Sequence, residues 1–250
     1  MATNGKYNMV LILLLICSYL SQGFECGSKD EFRPSDDVYP FKLHSLPYPK
    51  YFLMPVLTAD ILSAHHDHHH QSYVDKMNAY IEKTPDFQDK TLVELINEAK
   101  NDEHLQMFAG GTYNHYFYWW VLTSQKNSSP EPQGALLEEI NKEWGSFATF
   151  KEEFEKSSRM LFGSGYTWLC VNSDSKLEIR NTVNQINPLM GVDGSLCYPV
   201  LTSDIWEHAY YLKYKWDKTT YFSSFWKIID WSIVEMFYEK YASNLQPVPL

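Results

Sequence analysis

The sequence predicts an α+β fold: a long N-terminal α-helical hairpin followed by a C-terminal α/β domain with a small three-stranded antiparallel sheet. Three observations predict it. Two long segments, Thr58 to Glu82 and Asp102 to Leu122, carry apolar residues at helical spacing, and the short connection between them implies an antiparallel return. The stretch from Ser124 to Gly134, with Pro130 and Pro132, then breaks all periodicity. Beyond it, runs rich in β-branched and aromatic residues alternate with helical patterns, as expected of helices covering a small sheet.

Taken in order, the chain opens on a targeting segment. Lys6 precedes the apolar core Met9 to Leu20, and Ser21-Gln22-Gly23 supplies the small residues of a cleavage point, so residues 1–23 read as a signal peptide cut after Gly23. That core is too short for a comfortable membrane span, which takes about 20 apolar residues, so no stable membrane association is expected. The mature chain is expected in the secretory pathway, extracellular or lumenal. Residues 24–40 are polar and proline-bearing and read as a disordered lead.

The hairpin domain spans 41–123. Pro47, Pro49 and Pro55 mark an extended stretch that ends at Thr58, the expected N-cap of a helix running to Lys83. Thr84-Pro85-Asp86 forms a turn, a shorter helix covers Thr91 to Lys100, and the second long helix covers Asp102 to Leu122. Gly110-Gly111 inside that helix costs about 1 kcal/mol per glycine relative to alanine, which implies that something packs closely there. The linker 124–134 offers Asn127-Ser128-Ser129 as an N-glycosylation acceptor.

The second domain spans 135–242. Helices are expected over Ala135 to Trp144 and Phe147 to Leu161, and strands over Gly165 to Val171, Lys176 to Val183 and Tyr198 to Thr202. Two more helices are expected over Glu207 to Lys215 and Ser223 to Ala242, followed by a tail at 243–250.

A formal charge of −10 argues against a nucleic-acid partner and also disfavours any anionic substrate unless a local positive cluster attracts it. Cys17 leaves with the leader. Of Cys26, Cys170 and Cys197, the last two are the favoured pair for a disulfide, although Cys170 in its apolar run also fits a small buried hydrophobe.

The chemistry lies in histidines. Five of the nine fall between His65 and His70, and on an α-helix His65 shares a face with His69 and His66 with His70, so one pair is expected to face inward. Neutral imidazole suits transition metals, but this run alone fits a loose surface cluster equally well. His115, among aromatics on the second long helix, can meet His65 or His69 across a hairpin. Asp204 and His208, four apart after the third strand, complete three nitrogens and one oxygen, a redox-metal set rather than a calcium set.

Asp204-Ile-Trp-Glu-His208-Ala resembles the Asp-x-Trp-Glu-His-Ala signature of the iron/manganese superoxide dismutases. The resemblance runs from about Phe41 to Tyr241 and includes Leu46-Pro47-Tyr48, His65-His66-x-x-His69-His70-x-x-Tyr73-Val74, Asn114-His115, Phe162-Gly163-Ser164-Gly165 and Thr167-Trp168-Leu169. It implies that His65, His115, Asp204 and His208 hold one manganese or iron ion per subunit, with a solvent molecule as fifth ligand. It further implies that superoxide is the substrate, converted to dioxygen and hydrogen peroxide, with Tyr73 and Gln185 forming a hydrogen-bond line to that solvent. His69 and Tyr211 would guard the mouth, and Trp119, Trp168 and Trp206 would wall the pocket. A homodimer or homotetramer is implied, with Glu207 of each chain paired to His208 of the other. Glycine at Gly111 and glutamine at Gln185 resemble the manganese class. The chain departs from the family at His68, at Lys218-Thr219, and at Tyr166, where a tryptophan is usual. A metal-storage protein or a metallohydrolase would share the ligands, but storage does not need Tyr73, Gln185 and His69, and no separate general base for hydrolysis is readable.

Overall fold

The computed structural model describes residues 29–250, so the leader read at 1–23 and Cys26 lie outside the described residues. Helix α1 covers 59–81 and starts at Thr58, whose hydroxyl accepts the backbone N–H of Ile61. It is not uniform. Between Ala59–Leu62 and Gln71–Ile81, the histidine run Ser63–His70 winds as a π-helix. Such turns are rare, cluster at functional sites, and re-aim the side chains they carry. Of the two α-spaced pairs, His66 and His70 are both buried as one pair was expected to be, whereas the other divides, with His65 buried and His69 exposed beside the exposed His68.

Helix α2 (Leu92–Glu98) starts in a reciprocal cap between Thr91 and Glu94, and α3 (Glu103–Trp120) starts where the Asp102 carboxylate accepts the N–H groups of His104 and Leu105. α3 returns along α1 and is buried continuously from Ala109 to Trp119. Its glycine pair has a steric cause. A Cβ on Gly110 would stand 2.1 Å from the Gln185 carbonyl oxygen, and one on Gly111 2.4 Å from the Tyr73 ring. The lost helix propensity is offset by letting the second domain and α1 both touch α3 there.

In the second domain α4 (Gly134–Trp144) and α5 (Phe147–Met160) precede three antiparallel strands, β1 (Gly165–Asn172), β2 (Leu177–Val183) and β3 (Cys197–Asp204), in the order β2-β1-β3. The central strand is buried from Gly165 to Val171, which is why its sequence is nearly all apolar or aromatic. A disulfide joins Cys170 to Cys197 across β1 and β3. The register sets Tyr166 directly opposite Thr182 on one side and Asp204 on the other.

Two expected helices change form. The stretch 207–215 holds only a 3-10 turn, Glu207–Ala209, and the short α6 (Tyr211–Tyr214). The stretch 223–242 is divided between α7 (Lys218–Phe225) and α8 (Trp231–Lys240). The break occurs because Ile229 bridges to Leu122 while the Asp230 carboxylate accepts the Ile233 N–H and so caps α8. The lead and the tail also differ from expectation. The Lys29 ammonium, buried, bonds to Asp230 at 2.8 Å and to the Trp120 carbonyl, and Phe32 packs edge-on against Trp120 and Phe237. In the tail, Val248 is buried and its carbonyl accepts the Tyr113 hydroxyl at 2.9 Å. Single anchors of this kind carry no periodicity, so a reading built on period misses them.

Candidate metal centre

Four donors converge between the domains. His65 comes from the π-helical part of α1, His115 from α3, Asp204 from the end of β3 and His208 from the 3-10 turn after it, and one ligating atom from each lies within 4.8 Å of the others. Asp204 Oδ2 is 3.2 Å from His65 Nε2 and 3.3 Å from His208 Nε2. His115 donates through Nδ1 to the Gly111 carbonyl at 2.6 Å, which fixes the tautomer and leaves its Nε2 lone pair aimed inward. That Nε2, like His65 Nε2, is buried without a hydrogen-bond partner. Unpaired buried nitrogens converging on one carboxylate are what a metal ion would satisfy, and three imidazoles with one carboxylate fit manganese or iron.

The electrostatics prepare the donors. Burial, then the neighbouring His208, pushes the His65 imidazole down to about 4; burial and then His65 push His115 down as well. Burial alone would raise the Asp204 carboxyl, but His208 and His65 beside it hold it below the usual carboxylate range. Neutral rings and an ionised carboxylate are the states that bind metal.

The rest of the histidine run has other work. His70 accepts the Trp119 indole N–H at Nδ1 and bonds through Nε2 to the Thr112 carbonyl, and His66 bridges the His44 carbonyl and Asp67. His69 stands outside, its ring stacked on His208 at 4.5 Å. Trp119 abuts His65 edge-on and Trp206 stacks on His208 at 5.4 Å, whereas Trp168 stands one ring back, against Tyr166 and Phe117.

Beside the donors, Gln185 Nε2 donates to the Tyr73 phenol oxygen at 3.0 Å. Burial raises the Tyr73 pKa and the Gln185 bond partly offsets it, so the phenol keeps its proton. The mouth is an open cleft of about 670 Å³ edged by His69, Tyr73, Phe162, Trp206, Glu207 and Lys218. Phe162 is 97% exposed there, whereas Tyr211, expected at the mouth, is 44% exposed but does not line the cleft of this chain.

Comparison with known proteins agrees with this geometry. Residues 40–123 match the alpha-hairpin domain of the iron/manganese superoxide dismutases and residues 132–237 match their C-terminal domain. The chain belongs to the iron/manganese superoxide dismutase family. Proteins named superoxide dismutase (Mn/Fe) 2 from Staphylococcus aureus strains COL and MW2 are each 40% identical over 204 residues, covering 80% of this chain and 98% of theirs.

Several supports of this dismutase fold had no role assigned to them in the sequence, although Asn114 stands in the Asn114-His115 motif. Asn114 donates through Nδ2 to the Gln185 backbone carbonyl at 3.1 Å, and Asn187 donates to Asn114 Oδ1 at 2.7 Å, so the residue before the candidate ligand His115 also moors the Gln185 loop. Asn184 adopts a positive φ of 52°, and the Trp206 indole N–H donates to its carbonyl at 3.0 Å. The clue available in sequence was adjacency: Asn114 and Asn184 each flank a residue of the site. Tyr166 is fully buried, its hydroxyl without a hydrogen-bond partner.

Proposed function

We propose that this chain dismutates superoxide to dioxygen and hydrogen peroxide outside the cytosol, as a manganese-loaded dimer. The observation that carries the activity is the convergence of His65, His115, Asp204 and His208 beside the Tyr73–Gln185 hydrogen bond. A manganese or iron ion held by those four would supply the electron exchange, taking one electron from a first superoxide and returning one to a second. The protein supplies the rest. His115 is oriented by the Gly111 carbonyl, Asp204 by the Trp206 backbone N–H at 2.8 Å, Trp119 walls His65 from within, and Trp206 edges the cleft against His208. Peroxide formation consumes two protons, and Tyr73, protonated and half-buried at the cleft, is the nearest phenol facing solvent.

Manganese is favoured by the source of the glutamine. Gln185 reaches the site from the loop after β2, while Gly111 has no room for a side chain against the Tyr73 ring. A dimer is favoured by the mouth. Among the described residues the exposed Glu207 carboxylate accepts no hydrogen bond and His208 Nδ1 has no partner, although a metal-bound imidazole normally gives its second N–H to an acceptor. Two-fold pairing of Glu207 with His208 would satisfy both and would bring Tyr211 toward His69 of the other copy. The Cys170–Cys197 disulfide and the exposed Asn127 suit an oxidising compartment. Among the described residues no helix is long and apolar enough to cross a membrane.

The test is metal analysis of the purified protein with superoxide consumption measured before and after metal removal and reconstitution. Activity that survives complete removal would sink the reading, and activity restored by iron alone would overturn the manganese preference.

A further inference from the structure

One surface outside the metal centre combines exposed apolar side chains with positive charge. The eight residues Tyr211–Lys218, which form α6 and the turn into α7, hold three lysines against one aspartate on a chain of formal charge −10. That aspartate, Asp217, caps α7, its carboxylate accepting the Thr220 N–H and hydroxyl. None of the three lysines forms a salt bridge among the described residues. α1 packs against α6 and adds one exposed acid in its first turn, Asp60, so the local balance stays positive. Among the lysines the apolar side chains face solvent: Leu212 is 54% exposed and Trp216 85%. The adjoining turn brings the exposed Met54, and it is tied to α6 because the Lys213 ammonium donates to the Pro55 carbonyl and the Tyr214 hydroxyl donates to that of Val56 at 2.7 Å. Trp216 is also held outward by a costly turn. Lys215 before it takes a φ of 53° and a ψ of −124°, a conformation that side chains with a Cβ rarely adopt, and its ammonium folds back onto the Leu212 carbonyl at 3.1 Å. Strain of this kind collects where a chain makes contacts beyond itself.

We propose that this surface docks reversibly on an anionic lipid bilayer, with Leu212, Trp216 and Met54 entering the headgroup boundary and Lys213 and Lys215 meeting the lipid charges. Both halves of the patch are used by that occupant. Indole is the side chain most at home where one end is apolar and the other wet, and lysine stems lie along apolar surface while their ammonium groups reach phosphate. A protein partner fits less well, because the centres of protein interfaces are depleted in lysine, and a sulfated polysaccharide would leave the three apolar side chains in water. The contact is peripheral, unlike the stable association a spanning helix gives, and no described helix can span. Lys218, two residues beyond Trp216, edges the cleft, so docking would set the mouth of the metal centre beside the lipid surface.

The test is co-sedimentation of the purified protein with vesicles of phosphatidylcholine alone and of phosphatidylcholine mixed with phosphatidylserine. Binding is expected only to the mixed vesicles, and it should fall steeply at about 1 M salt, where the screening length is about 3 Å. Lys215→Gln should weaken binding about fivefold, the worth of one lysine near an anionic surface, and Trp216→Ala about tenfold, the worth of burying a large apolar side chain. Bromine-labelled acyl chains should quench the tryptophan emission of wild type and spare that of Trp216→Ala. Both variants should keep the melting temperature, metal content and solution activity of wild type. None of these binding readouts depends on turnover, so their failure leaves the function proposed above standing. Absence of binding to the mixed vesicles overturns the proposal, as does equal binding by wild type and Trp216→Ala. So does a fall in the melting temperature of Trp216→Ala, which marks a structural residue, or shielding of Trp216 from a soluble quencher in the free protein, which marks a surface already covered by a second copy. Retention on a sulfated polysaccharide without vesicle binding would assign the lysines to a glycan and overturn it as well.

Discussion

The interior of the metal centre and its mouth are built on opposite terms. Inside, His65, His115 and Asp204 are completely buried, and the chain's own hydrogen bonds aim His115 and Asp204. At the mouth, Glu207 is exposed and unpaired among the described residues, and Phe162 lies almost wholly in solvent, with Tyr211 exposed nearby in sequence. The interior is complete within one chain, whereas under the dimer proposed above the mouth would be completed by a second copy. Large exposed aromatics beside an unpaired carboxylate describe a surface awaiting a partner rather than a finished one.

The strongest way to break the comparison is to remove an interior donor. His115→Ala and Asp204→Ala are each expected to reduce bound metal to background and activity by well over ~100-fold, beyond the cost of losing a mere outer partner. Metal content and superoxide consumption measured on the same samples should fall together. Either variant retaining full activity would show that the convergence of donors is incidental.

Next in size is Gly111→Ala. The added methyl would fall 2.4 Å from the Tyr73 ring, so either α3 or Tyr73 must move. Overpacking of this kind costs about 1–3 kcal/mol, and displacing Tyr73 also breaks its bond to Gln185. Activity should drop while the four donors still bind metal. A variant with unchanged melting temperature and turnover would mean that the close approach of α1 and α3 is softer than the geometry implies.

Legibility in the sequence divides along a related line. The hairpin, the three strands and the four donors were readable because each combines periodicity with a short motif, as in Asp204-Ile-Trp-Glu-His208. Thr58 was readable as a cap for the same local reason. The π-helical winding of Ser63–His70 was not, since nothing in Ser-Ala-His-His-Asp-His-His-His marks a change from 3.6 residues per turn. Nor was the break at Asp230, where an N-cap aspartate sits in a stretch whose apolar spacing continues through it. Lys29 and Phe32 were misread because one ion pair and one ring contact can fix a polar segment that lacks any pattern. The mouth was legible only through the family resemblance: Glu207 reads as a surface carboxylate until His208 Nδ1 is found without an acceptor.

The comparison is sharpened from the outer side by Glu207→Ala. If the mouth is closed by a second copy, this change removes the partner of His208 in both subunits at once. Breaking one side of a buried pair costs about 3–5 kcal/mol in measured cases, enough to move a dimer toward monomer at micromolar concentration. Sedimentation of wild type and variant, with metal content, should show both association and retention weakened. A wild-type monomer with full activity would refute a shared mouth.

The smallest expected effect concerns steering. The chain carries a formal charge of −10, which repels an anionic substrate, so attraction must be local. Two cations edge the cleft. Arg159 is already paired with Glu155 at 2.9 Å, whereas Lys218 has no salt bridge among the described residues and lies 5.8 Å from the Tyr210 ring. Lys218 is therefore the free positive charge that superoxide meets on the way in, and in a dimer the opposing Glu207 charge would be spent on His208. Lys218→Gln should lower kcat/KM about threefold at physiological salt, since one partly exposed charge acts over a Debye length of about 8 Å. Bound metal and kcat should stay unchanged, because the residue touches none of the four donors. Raising ionic strength to 1 M shortens the screening length to about 3 Å, so the variant and wild type should converge there. Stopped-flow rates across a salt series decide it: equal rates at low salt, or a difference that persists at 1 M, would place the attraction elsewhere on the mouth.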